Sequence, residues 1–471
     1  MRRFFFPLLP AAVLIMSCPP AADNPPAEIR LAVPHDLLGM VHAGYTNRDG
    51  NGNSGRLEDE YALLDGMGVH WMLRDFSWDQ IEPEDNNWRF NWPWTDRPDF
   101  DDYVRLANSH NKKIMGLLAY EVGWIHGDYN AETGKYACGH TSDRLVSGER
   151  EVAAFCDYVQ KTVERYNGKN GHDKVDAWCI WNEPNLQPRF WTGTTEEFFA
   201  LTKAAAAAFK QADTGAVLLG GAFMTLAGDE WVKGIFTSGA MDNVDYIAYH
   251  PYMPDAGTSA KAFFRFKETV SQYGFGDKIW ITEVGYPLDK GDGGYDTKVP
   301  EERMPETVIK TITSLAAGGA QRILWYELFD HGASGGPNDS EAWFGLVDFD
   351  TFSKKGGAHA YTICANNIPG RTWYSSLPSR TGLLANIAAY YFEGADGNNS
   401  LVIWNERPSK AQAVQVTLPG SGQKVWDLAS GGFTPIGEHS TYTLREGVNE
   451  SIQFFTWENS DPSKPPGIAV P

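Results

Sequence analysis

The chain has 471 residues, 42% of them hydrophobic, enough to bury one large core and a smaller second one. Its formal charge of -20 argues against a nucleic-acid surface, which needs clustered Lys and Arg. The 17 Trp, 20 Tyr and 25 Phe exceed what cores require and suit grooves for flat, partly apolar ligands such as sugars.

Residues 1–18 read as a signal peptide: Met1-Arg2-Arg3 is basic, and residues 4–16 form an apolar run too short for a stable membrane helix. Ile15-Met16-Ser17-Cys18 resembles a bacterial lipobox, so the expectation is an exported lipoprotein, periplasmic or at the cell surface, tethered through Cys18. An untethered secreted or periplasmic protein is the alternative. Residues 19–34 then read as a tether.

From residue 35 to 368 short apolar runs alternate with helical patterns. The runs are 38–43, 68–73, 113–118, 177–181, 217–219, 244–249, 278–281 and 322–325. Between them, Val152, Phe155, Val159 and Val163 share one helix face, and Thr194-x-x-Glu197 is a capping box. Strands apolar on both faces, each followed by a helix, predict an α/β fold, a (β/α)₈ barrel. Residues 369–460 change period: Val414, Val416 and Leu418 alternate with polar residues, and Asp396-Gly397 marks a hairpin. They predict a small antiparallel β-sandwich-like domain, followed by a Pro-rich disordered tail over 461–471.

Cys138, Cys156, Cys179 and Cys364 fit no zinc spacing, and Cys138 with Cys156 is the one pair considered for a disulfide. His42, His250 and His331 are scattered, without the His-x-His of a metal barrel, so no metal or cofactor is expected.

Barrel chemistry sits at the C-terminal ends of the strands. The fourth run ends in Trp-Asn-Glu-Pro, which presents Glu183, and the seventh in Ile-Thr-Glu-Val, which presents Glu283. Three strands apart on an eight-strand ring, these carboxylates face each other. Such a pair suits retaining hydrolysis of an O-glycosidic bond, where the two groups lie about 5–5.5 Å apart. Other strand ends supply support: Arg74 to keep a carboxylate ionised, His250 and Tyr252 to hydrogen-bond Glu283, Trp325 as a floor for a sugar ring, and Asn182 for a hydroxyl. Each alone has a plainer reading, a surface ion pair for Arg74, a loop histidine for His250, core for Trp325. Glu121 and Glu327 are left open between substrate contact and solvated surface.

These residues together resemble the clan A glycoside hydrolases. Arg74-Asp75-Phe76-Ser77-Trp78 with Ile81-Glu82-Pro83, and Phe344-Gly345-Leu346-Val347-Asp348, resemble family 39 in particular, nearer its endo-acting members than its exo-acting xylosidases. The resemblance implies that Glu183 is the acid/base, that Glu283 is the nucleophile, and that the substrate is a β-linked oligo- or polysaccharide; burial and the Glu283 charge are expected to raise the Glu183 pKa. A catalytically inactive carbohydrate-binding barrel is the alternative.

Overall fold

The computed structural model describes residues 29–44, 55–92, 98–126, 129–130, 135–136, 148–224, 229–289, 298–330, 340–374, 386–427, 431–447, 450–459, 461 and 463–469. The signal segment with Cys18, and also Cys138 and His331, lie outside these residues.

Eight parallel strands close into a barrel: Leu38–Val41, Trp71–Asp75, Lys113–Leu118, Ala177–Ile180, Val217–Met224, Tyr246–His250, Ile279–Val284 and Arg322–Trp325. A helix follows each in turn: Gly55–Met67, Phe100–Ser109, Glu149–Arg165, Thr195–Ala212, Asp229–Thr237, Ala256–Ser271, Met304–Gly318 and Gly356–Asn367. Phe155, Val159 and Val163 are buried as the helical period requires. The Thr194/Glu197 capping box is formed in both directions, at 3.2 and 2.8 Å.

Three strands differ from their apolar runs for visible reasons. The second begins at Trp71 because Gly68, with φ +73°, closes the preceding helix. The fifth continues past Leu219 to Met224 through a bulge between Gly220 and Phe223, where the glycines hid the strand signal. The seventh extends to Val284, so Glu283 is itself a strand residue.

Beyond the barrel, antiparallel strands form a seven-stranded and a three-stranded sheet. Strands Ile387–Glu393 and Asn398–Asn405 join through Gly397 at φ +84°. The larger sheet uses both faces. Ile387, Tyr391, Leu401, Ile403, Phe455 and Trp457 meet the smaller sheet, while the alternate residues Phe392, Val402, Trp404, Ile452 and Phe454 join the barrel core. Ser400 Oγ donates to Asn367 O at 2.6 Å, and Ser451 bonds to Glu306 on the helix before the eighth barrel strand.

Two boundaries need correction. Arg30–Ala32, expected in the tether, pairs with Thr372–Tyr374 at the edge of the larger sheet. Gly467–Ala469, expected in a disordered tail, pairs with Gln415–Thr417, and Ile468 is buried in the sandwich core. In both, a short apolar segment beside prolines was enough to form a strand once an open edge lay next to it. Among the described residues Cys156 is a free thiol; Cys138, the partner considered for it, lies outside them.

Candidate active site

The site is built from the way the fourth strand stops. Trp181 continues its ladder, its N–H donating to Leu118 O at 3.0 Å, and its buried indole donates to Phe190 O at 2.8 Å. Trp181 and Glu183 both adopt left-handed backbone, φ +63° and +40°, at a cost of about 1–3 kcal/mol each for residues with a Cβ. The pleat is broken there, so consecutive side chains no longer point to opposite faces. Asn182 bonds the Tyr120 hydroxyl after the third strand, and Glu183 bonds His250 at the end of the sixth. The Glu183 N–H donates to Ala222 O at 3.1 Å, an acceptor presented by the bulge in the fifth strand. Pro184 follows with no N–H to satisfy.

His250 is buried and bonded on both ring nitrogens. Nδ1 lies 2.9 Å from Glu183 Oε1 and 3.7 Å from Glu283 Oε2, and Nε2 lies 2.9 Å from Thr282 Oγ1. The Tyr252 hydroxyl donates to Glu283 Oε2 at 2.9 Å. One donor atom from each of Glu183, His250 and Glu283 lies within 4.8 Å of the others. Burial disfavours a charged imidazole, but the two carboxylates outweigh it and raise His250. Burial pushes the Glu283 carboxyl up and the Glu183 charge adds to this, while His250, the Tyr252 phenol and His42 pull it back.

Sequence reasoning missed a second polar pair beside this one. His42 ends the first strand, and its Nδ1 lies 2.9 Å from Oε2 of the buried Glu327, after the eighth. Burial opposes the His42 charge, yet Glu327, Asp75 and Glu283 together raise it to about 9. The strand-end rule that found His250 would have found His42 also. Tyr326 meets the His42 ring edge-on at 5.3 Å. Its N–H donates to Val284 O at 2.9 Å, and its carbonyl oxygen passes 1.8 Å from where a Cβ on residue 285 would stand, so Gly285 alone permits this approach.

Asn182, Glu183, His250, Tyr252 and Glu283 therefore come together, with one adjustment to the expected bonds: His250 hydrogen-bonds Glu183 and stands 3.7 Å from Glu283, while Tyr252 hydrogen-bonds Glu283. Trp325 is a correction. It is 0% exposed and packs on Tyr286, whose hydroxyl bonds Ser259 on a barrel helix, so it belongs to the layer between sheet and helices. Its successor Tyr326, half-buried beside His42, is the aromatic at the mouth. Arg74 is also redirected: its guanidinium lies 4.7 and 4.6 Å from the ring centres of Phe100 and Tyr103 and donates to Pro98 O at 3.2 Å. It reaches into the helix layer, while the neighbouring Asp75 charge is felt at His42. Glu121 and Glu327 are both buried, which rules out solvated surface for either.

The Glu183–His250–Glu283 donors are close enough to hold a cation. Both His250 nitrogens are engaged in hydrogen bonds, which suits a proton network.

A model of the glycosyl hydrolases of family 39 matches residues 132–275, which include Glu183 and His250. A beta-xylosidase of Caldicellulosiruptor saccharolyticus is 32% identical over 109 residues, 22% of this chain and 22% of that one. A beta-xylosidase of Geobacillus stearothermophilus is 28% identical over 116 residues, 24% of this chain and 23% of that one. The match thus spans less than a quarter of either relative. A family 39 glycoside hydrolase from the gut symbiont Bacteroides cellulosilyticus WH2 shares the fold, with a TM-score of 0.65, 17% identity, and coverage of 90% of this chain and 81% of that one.

Proposed function

We propose that this chain is a retaining glycoside hydrolase of the family 39 type, acting on β-linked oligo- or polysaccharide by double displacement. One observation carries the reading: carboxylate oxygens of Glu183 and Glu283 lie within 4.8 Å of each other at the ends of the fourth and seventh strands. That spacing supports retention, since the two carboxyls of an inverting enzyme stand about 6.5–9.5 Å apart to admit a water. Glu183 protonates the leaving oxygen and Glu283 attacks the anomeric carbon; Glu183 then takes a proton from the water that releases the sugar. His250 Nδ1, 2.9 Å from Glu183 Oε1 and 3.7 Å from Glu283 Oε2, holds the Glu183 carboxyl in place beside the nucleophile. The Tyr252 phenol favours the ionised form of Glu283 needed for attack, working against the upward push of burial.

Sugar and linkage follow from the relatives only as candidates. Their names favour β-xylosides, while the sequence motifs lean towards endo-acting members, so xylo-oligosaccharides of graded length are the first substrates to assay. Proton NMR of the reaction should show the product first released in the substrate's own anomeric configuration, with activity surviving exhaustive chelation. An inverted product would overturn the mechanism. Binding without turnover, on aryl glycosides as well, would favour the inactive carbohydrate-binding alternative.

The reading includes export and anchoring through Cys18, supported by the basic N-terminus, the apolar run and the lipobox-like residues before that cysteine. Cys18→Ala should abolish detergent-phase partitioning, and partitioning that survives the substitution would sink the anchor.

A further inference from the structure

The motif Phe344-Gly345-Leu346-Val347-Asp348 has no part in the mechanism above, yet it is pinned beside the nucleophile. Gly345 N–H donates to Asp330 Oδ1 at 3.1 Å, and Lys355 Nζ bonds both Asp330 Oδ2 and Gly345 O, the latter at 3.0 Å. Asp330 and the Lys355 side chain are 6% and 13% exposed, so this is a buried latch. Backbone bonds Leu346 N–H to Glu327 O, 3.1 Å, and Val347 N–H to Leu328 O, 2.9 Å, lay the motif along the chain leaving the eighth strand. A Cβ at residue 345 would stand 2.0 Å from the Asp330 nitrogen, so only glycine admits the contact.

The latched segment presents one ring. Phe344, 5% exposed, meets Tyr326 edge-on at 5.1 Å and Tyr252 edge-on at 6.3 Å, and it lies 3.2 Å from the Cβ position of Gly285, two residues beyond Glu283. Edge-to-face pairs fix ring orientation as well as position. Tyr252 has two rotatable torsions between its backbone and the phenol bonded to Glu283. The Phe344 ring restricts them together with the His250 and Tyr326 rings, 6.2 and 6.3 Å from Tyr252, and among these three it is the one carried by the latched segment.

We propose that Phe344 is a positioning residue for the nucleophile, holding the Tyr252 phenol on Glu283, and that the Asp330–Lys355 latch keeps it in place. The assignment rests on Glu283 being the nucleophile, as proposed above. When Phe344 is removed, the phenol loses its fixed aim, Glu283 keeps its proton to higher pH, and attack slows.

The test is kinetic, with Phe344→Ala, the volume-sparing Phe344→Leu, Tyr252→Phe and both double variants. Phe344→Ala should lower kcat about tenfold with little change in KM, as expected for a sub-ångström misplacement of a catalytic partner. The acid limb of its kcat profile should move to higher pH. Phe344→Leu should show the same in weaker form, and either change should add little in the Tyr252→Phe background. An unmoved acid limb, or effects that multiply with Tyr252→Phe, would overturn the proposal, as would a lowered Tm with an unchanged profile. Labelling of the wild type by a 2-deoxy-2-fluoro glycoside separates the two readings. If Glu283 is not the residue labelled, the mechanism fails; if it is labelled and the acid limb stays put, only the role of Phe344 fails.

Discussion

His250 Nδ1 stands 2.9 Å from Glu183 Oε1 and 3.7 Å from Glu283 Oε2, so a single ring nitrogen hydrogen-bonds one carboxylate of the site and lies in charge contact with the other. Because Nε2 is held by Thr282 Oγ1, the ring has a fixed plane between the fourth and seventh strands. This makes the two glutamates unequal in surroundings: one is bonded to an imidazole, the other to a phenol.

That inequality should be visible in single substitutions. Glu283→Ala should abolish turnover on every substrate, a loss of at least about 10⁴-fold. Glu183→Ala should retain the first step on aryl glycosides with good leaving groups and accumulate the glycosyl-enzyme, because such groups need no proton. Azide should rescue Glu183→Ala to a product of retained configuration and Glu283→Ala to an inverted one. Identical behaviour of the two variants would show that the roles are misassigned.

The His42–Glu327 pair predicts a pH dependence of stability. The pKa of His42 is raised on folding, to about 9 from an ordinary 6.5, so its contribution is complete below about pH 6.5 and lost as pH rises through about 9. A comparison of Tm for the wild type and His42→Gln should show a constant gap at acid pH that closes between pH 7 and 10, roughly the interval between the two pKa values. A gap that widens with pH would contradict the assignment.

Trp325→Ala should behave as a core substitution. The indole is fully buried, so the expected loss is about 3–5 kcal/mol of stability. Trp325→Phe should be folded, with KM near that of the wild type. A large rise in KM without loss of Tm would return Trp325 to the substrate site.

Deleting residues 370–471 should cost folding and not only affinity. The deletion strips Phe392, Val402, Trp404, Ile452 and Phe454 from the core they share with the barrel, and leaves strand Arg30–Ala32 without its partner. The fragment is expected to be insoluble or to melt early, as followed by circular dichroism; a soluble, fully active barrel would refute this.

The barrel, the β domain and the strand-end positions of Glu183 and Glu283 were legible in the sequence. Eight apolar runs spaced by helical periods admit few arrangements, and a carboxylate followed by proline at a strand end is a local signal. Local signals also found Asn182, His250 and Tyr252. What they could not give is direction. Trp325 and Arg74 end strands just as His250 does, but whether a side chain at a strand end points into the mouth or the helix layer depends on pleat, twist and bulges accumulated around a closed ring. Only the closed barrel sent Arg74 to Phe100 and Tyr103 and left Asp75 to act on His42. Only tertiary structure, again, joined His42 to Glu327 across 285 residues, because that bond exists only once the first and eighth strands have met.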